Sequence, residues 1–230
     1  MNNIKIGHHD LAKLYKDTLR ESGSTDTSLK TYRFFSTFQL IQNAARNATP
    51  GAHFAECGCW KGHSALATCK ILYENNFQKN FWVFDSFEGG LSEFKPQDTV
   101  GSPKAAQTQA EQQRRINHFK SSEEHVTQLL EPYDFVKIMP GWIPDRFPEV
   151  KDLRFQFVHI DVDLYEPTLE ALKFFWPRVV PGGMIVIDDF NGDNYPGPQV
   201  AFKEYFENEK PWMFYEVPVG SAFMIKSPWV

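Results

Sequence analysis

Cysteine is scarce in this chain: Cys57, Cys59 and Cys69 are the only three among 230 residues. An odd set excludes a paired disulfide framework, and a chain of this length builds a core without staples, so reduced thiols are expected. No apolar run approaches the roughly 20 residues that span a bilayer, and no basic segment followed by an apolar one opens the sequence. A membrane partner is therefore not expected, and the predicted compartment is the cytoplasm. A basic surplus is missing too, since 24 Lys and Arg face 29 Asp and Glu for a formal charge of −5. Without a basic stripe there is no footprint for a phosphate backbone, so nucleic acid is not an expected partner.

What the chain has is core-forming residues, 42% of the total, enough for one compact unit with some elaboration. Residues 1–50 read as a helical N-terminal extension. Leu11, Leu14 and Leu19 recur at helical spacing over 8–21, "SGSTDTSL" reads as a loop, and a second helix spans about 31–48. Phe34, Phe35, Phe38, Ile41 and Ala45 form its apolar stripe until Thr49, Pro50 and Gly51 stop it. The aromatic part of that stripe is available to bury against a second subunit, giving a homodimer.

Over 51–230 short apolar runs alternate with helical patterns. "HFAECG", "FWVFDSF", "FVKIMPGW", "FQFVHIDVD" and "GMIVIDDF" read as strands, and "GHSALATCKILYE", about 115–130, "PTLEALKFFWPRV" and "QVAFKEYFENE" as helices. "WMFYEVPV" and "SAFMIK" close the chain as an antiparallel hairpin across the tight "PVGS" connection. The result is an α/β fold: a central, mostly parallel seven-stranded sheet with a C-terminal hairpin and helices on both faces. Residues 88–114 are polar, fitting either a mobile lid or an exposed connector.

"AECGCWKGHS", residues 55–64, lies at a strand-to-helix turn, where backbone and a helix N-terminus face a ligand. Gly58 and Gly62 alone do not complete G-x-G-x-x-G, and Trp60 would crowd a pyrophosphate. Glu56 would repel a pyrophosphate but suits the α-amino group and sulfonium of S-adenosylmethionine. Asp85, ending the second strand, is placed to accept from a ribose diol, although Asp before Ser is also a common cap. Candidate donor contacts are therefore Glu56, Gly58, Cys59, Trp60, Ser64, Asp85 and Ser86, with Trp142 of "MPGWIPD" available to stack on adenine.

Acids also end the later strands. In "VHIDVDLYEPT" the period of two sets His159, Asp161 and Asp163 on one face, and "IVIDDFN" ends the next strand with Asp188 and Asp189. Four carboxylates at one sheet edge repel unless protons or a cation compensate. Oxygen donors without clustered thiols favour Mg²⁺ over Zn²⁺. The competing account is that one acid caps a loop and another pairs with Lys61 or Arg178.

These segments, in order, resemble the TylF-type macrocin O-methyltransferases. The likeness spans about residues 51–226 and rests on "AECGCWKGHS", "VFDSFEGG", "HIDVDLYEPTLEAL", "VPGGMIVIDDF" and "VAFKEYF". The resemblance implies a class I, Rossmann-like fold and S-adenosylmethionine- and Mg²⁺-dependent O-methylation. It implies that Glu56, Gly58 and Asp85 contact the donor and that Asp161, Asp188 and Asp189 hold Mg²⁺. The acceptor is then a small-molecule hydroxyl, extending to natural-product sugars. Asp161, Asp163 and His159 are the candidate catalytic residues, with Asp163 or His159 the better base because a metal-bound carboxylate is a weak one. Pro167 stands where the family usually has Ser, and "PGPQV" leaves Gln199 where basic residues are common. The alternatives are a nucleotide-dependent oxidoreductase and a metal-dependent hydrolase on a similar sheet, or a non-catalytic member.

Overall fold

The structure is a computed structural model and describes residues 5–6, 9–25, 30–217 and 219–229. A short ribbon of β1 (Lys5–Ile6) and β2 (His9–Asp10) precedes α1 (Leu11–Ser22). Two-residue strands leave no periodic signal, so the sequence did not announce this ribbon. Asp10 caps α1 by accepting from Ala12 N and Lys13 N, and Gly23 ends the helix at φ 64°. α2 spans Lys30–Arg46. Part of the "SGSTDTSL" loop, 26–29, and Pro218 of the "PVGS" connection lie outside the described residues.

The remaining elements are β3 (His53–Cys57), α3 (His63–Glu74), β4 (Phe81–Asp85), α4 (Gln109–His118), α5 (Glu123–Leu130) and β5 (Val136–Pro140). They continue with β6 (Phe155–Ile160), α6 (Tyr165–Phe175), β7 (Val179–Ile187), α7 (Gly197–Tyr205), β8 (Met213–Val217) and β9 (Ser221–Ile225). Seven strands form one sheet in the order β5-β4-β3-β6-β7-β9-β8. β3 to β7 pair parallel, while β9 runs antiparallel to both β7 and β8. The chain winds outward from β3 to β5, then returns to β6 on the other side of β3. Ligands bind parallel sheets at this switch point, beyond the strands' carboxyl ends.

Alternation within the strands splits the core by face. Phe54, Phe157 and Met184 pack with Leu14, Phe38, Leu66 and Ile71 of α1, α2 and α3. Ala55, Val158 and Ile185 pack with Leu172 and Phe175 of α6 on the other face. The aromatic stripe expected to seek a second subunit is used inside the chain: Phe34, Phe35 and Phe38 are all buried there.

Two boundaries differ from the sequence expectation. The single helix over 115–130 is two, because Phe119 closes α4 and Ser122 starts α5 by accepting from His125 N. α4 itself begins inside the polar stretch, where Thr108 and Glu111 form a reciprocal cap.

Candidate active site

The β3–α3 turn approaches the end of β6 so closely that only glycine fits. A Cβ on Gly58 would lie 1.9 Å from the Asp161 carbonyl oxygen, and its φ of 83° is left-handed. Asp85, at the end of β4, braces the same turn. Its Oδ2 accepts from Cys59 N at 2.7 Å and Trp60 N at 2.9 Å, and its Oδ1 from Phe87 N at 2.6 Å. Burial pushes the Asp85 carboxyl up despite these three donors. Asp85 is thus a backbone cap in this structure and also a wall of a cavity.

That cavity, about 390 Å³, lies beyond the ends of β3, β4 and β6 and is lined by Gly58, Trp60, Asp85, Ser86, Trp142, Asp161 and Asp163, among others. Trp142, 43% exposed, packs against Gly89, where a Cβ would meet the indole at 2.7 Å. Cys59 and Ser64 line a smaller neighbouring cavity with Lys30 and Phe34 of α2, and with Asp161 and Asp163.

Glu56 lies elsewhere than expected. It is buried beneath the turn and is absent from the residues lining either cavity. One oxygen, Oε1, accepts from Ser64 Oγ and stands 3.0 Å from His159 Nδ1. Glu56 and His159 are register partners across β3 and β6, so both point to the α2–α3 face. Burial works against a charged His159, but the Glu56 hydrogen bond and charge outweigh it and raise the imidazole to about 9.

The acids at the ends of β6 and β7 do converge. One ligand atom each from His159, Asp161 and Asp188 lie within 4.8 Å of one another, and so do those from Asp161, Asp163 and Asp189. The trio expected to hold a metal is therefore divided: Asp188 joins the histidine, while Asp189 joins Asp163. Adjacent residues diverge because both follow the last strand residue, Ile187, and Asp189 is left-handed at φ 52°. β6 likewise stops at Ile160, so the alternation expected through Asp163 ends early, and Asp163 has φ 59°.

Neither Lys61 nor Arg178 compensates these charges. Lys61 Nζ reaches Gly23 O, and Arg178 binds the carbonyls of Lys151 and Phe174. Lys30 of α2 lends its charge to Asp161, Asp188 and Asp189, and a direct ion-pair partner is Arg33 of the same helix, with Nη2 2.8 Å from Asp188 Oδ2 and Nη1 2.9 Å from Asp189 Oδ1. The sequence reading missed it, although an arginine directly before the aromatic stripe in "RFFSTF" is the signal that would have found it. Burial raises Asp163, Asp188 and Asp161, with Asp189 and Asp161 adding to the rise at Asp163. Burial would raise Asp189 too, but Arg33 and Lys30 outweigh it and leave that carboxyl below the ordinary range.

A glycine turn at the switch point, an acid bracing it from the next strand, and a sheet closed by an antiparallel hairpin define a class I, Rossmann-like methyltransferase. Solved structures share this fold: the O-methyltransferase NovP superposes with a TM-score of 0.71 at 22% identity, covering 94% of this chain and 98% of that one. The calicheamicin methyltransferase CalS11 gives 0.68 at 15% identity over 96% and 94%. The chain belongs to the macrocin-O-methyltransferase (TylF) family, whose model matches residues 23–210. Among curated relatives, the demethyldecarbamoylnovobiocin O-methyltransferase of Streptomyces niveus is 27% identical over 80% of this chain and 71% of its own. The mycinamicin III 3″-O-methyltransferase of Micromonospora griseorubida is 27% identical over 76% and 71%. Membership carries the activity: S-adenosylmethionine-dependent O-methylation of a small molecule. Among the described residues no helix is long and apolar enough to cross a membrane.

Proposed function

We propose that the protein methylates a sugar hydroxyl of a natural product and that Mg²⁺ at the acid cluster assists. The supporting observation is a shared wall. Asp161 and Asp163 line the 390 Å³ cavity and group with Asp189, and Asp189 in turn lines a second cavity of about 450 Å³ with Arg33, Asn191 and Glu216. Donor and acceptor on opposite sides of the acids would meet there. A relative from Streptomyces olivaceus, named for 4′-O-methylation of a rhamnosyl tetracenomycin and 30% identical over 65% of this chain and 57% of its own, supports a sugar acceptor.

The donor set fits a hard cation. The trio of Asp161, Asp163 and Asp189 offers carboxylate oxygens with no thiol. Asp161 and Asp189 would hold Mg²⁺, which needs only one or two carboxylates beside water and substrate oxygens. When bound, it supplies Lewis-acid stabilisation to the oxygen that loses its proton.

Asp163 takes that proton. Asp163 lines the donor cavity and groups with Asp161 and Asp189, and a carboxylate that stands off the cation is a stronger base than one bound to it. The acceptor oxygen then attacks the methyl carbon in line, the carbon–sulfur bond breaks, and its electron pair stays on sulfur. Alignment is the protein's main contribution. The Gly58–Ser64 turn holds the methionine end, Asp85 and Ser86 the ribose, and Trp60 and Trp142 flank the adenine. Glu56 and His159 support the turn from below. The buried free thiols of Cys57, Cys59 and Cys69 suit a reducing cytoplasm.

Mycinamicin III and catechol offered with S-adenosylmethionine test this, with methylated product read by mass spectrometry. Transfer to the glycoside, lost in EDTA and restored by Mg²⁺, is expected. Transfer to catechol alone would overturn the sugar acceptor, and indifference to EDTA would overturn the metal.

A further inference from the structure

Arg33 is an unusual partner for an acid pair. A guanidinium that satisfies one carboxylate normally offers two parallel N–H bonds. Here the fork is divided between two residues, with Nη1 donating to Asp189 at 2.9 Å and Nη2 standing 2.8 Å from Asp188 without an aligned hydrogen bond. Nε has no hydrogen-bond partner among the described residues either, although the side chain is 5% exposed. Charge more than hydrogen-bond geometry therefore holds the contact, and a cation of different geometry can replace it. Room to withdraw exists, because Arg33 lines the 450 Å³ cavity, and Gly220, where a Cβ would come 3.5 Å from Nη1, leaves that side of the guanidinium open.

We infer that Arg33 is a built-in counter-cation that positions Asp188 and Asp189 and competes with the divalent cation for Asp189. The inference rests on the Mg²⁺ reading above. Arg33 places one positive charge against a carboxylate that the metal would share, and two cations at such separations repel strongly in a half-buried site. The same contact anchors α2, whose stripe packs in the core, so cation binding loosens the tie between the acid pair and the N-terminal helices. Arg33 is thus a positioning residue that acts through Asp188 and Asp189.

Mn²⁺ binding followed by electron paramagnetic resonance on the full chain, without donor or acceptor, provides the test. The R33Q variant is expected to bind Mn²⁺ at least about tenfold more tightly than the parent. The R33K variant, which keeps the charge, is expected to retain the parental affinity. A parent that binds Mn²⁺ with R33Q equal or weaker would overturn the inference and leave the Mg²⁺ reading intact. Absence of Mn²⁺ binding from parent and R33Q alike would sink both. Thermal melting over a Mg²⁺ series covers a poorly folding R33Q: its melting temperature should start below the parent's and rise more steeply with Mg²⁺. An R33Q chain that stays unfolded at every Mg²⁺ concentration would also overturn the inference.

Discussion

Glu56 and His159 form a buried pair across the central strands, Oε1 to Nδ1 at 3.0 Å, with both side chains at most 4% exposed. The imidazole is raised from 6.5 to about 9, so its contribution to stability is fully present below pH 6.5 and is lost as pH rises through about 9. Thermal melting across that window should show a decline in the parent that is absent from E56Q. Breaking one side of a buried pair costs about 3–5 kcal/mol, so E56Q should also be less stable near pH 6.

Gly58→Ala sets a methyl 1.9 Å from the Asp161 carbonyl oxygen in left-handed backbone. The strain exceeds the roughly 1–3 kcal/mol of an unfavourable dihedral alone, because backbone cannot move aside as a side chain would. Calorimetry with S-adenosylhomocysteine should show binding lost, while circular dichroism shows the sheet retained. Parental affinity in G58A would contradict the close approach.

Asp85→Asn exchanges an acceptor of three backbone N–H groups for an amide that opposes some of them with its own donors. Hydrogen bonds to a charged group contribute about 1.5–3 kcal/mol each, so D85N should lose stability of that order and, with the turn loosened, bind S-adenosylhomocysteine more weakly. The same titration reads this directly, and an unchanged Kd would free Asp85 from both roles.

Arg115 clasps two loops, donating to Asn194 O and Lys104 O and lying 4.8 Å over the Tyr195 ring. Lys104 adds a 2.6 Å contact to Asp193. The stretch over 99–108 is thereby tied to the loop that follows Asp188 and Asp189. R115A should speed amide exchange in both loops together and raise KM for the acceptor more than it lowers kcat. Faster exchange in only one loop would mean that they are not coupled through Arg115.

The sheet was legible in the sequence because β3, β4, β6 and β7 are largely apolar runs, a pattern that buried parallel strands impose, with acids at or beside their ends: Glu56, Asp85, Asp161 and Asp188. The convergence of Asp161, Asp163, Asp188 and Asp189 followed from the same strand ends. What periodicity could not give was direction after a strand stops. Asp163 and Asp189 are both left-handed, so neither side chain obeys the alternation of the strand before it. Glu56 was correctly singled out as a charge in an apolar strand, but its partner, His159, is 103 positions away, and register with a distant strand is not a local signal. Arg33 was hidden for the same reason, being 156 positions from Asp189.

That separation has a consequence for biosynthesis. At roughly 5–20 residues per second, a ribosome makes Arg33 about 8–30 s before it makes Asp189. Throughout that interval the guanidinium lacks the anions that make its burial tolerable, and α2 cannot settle onto the sheet without stranding a charge. The helices α1 and α2, which leave the exit tunnel before the sheet, are thus among the last elements to lock. A nascent chain arrested before Asp188 should expose its phenylalanine stripe to chaperones, and one arrested beyond the closing hairpin should not.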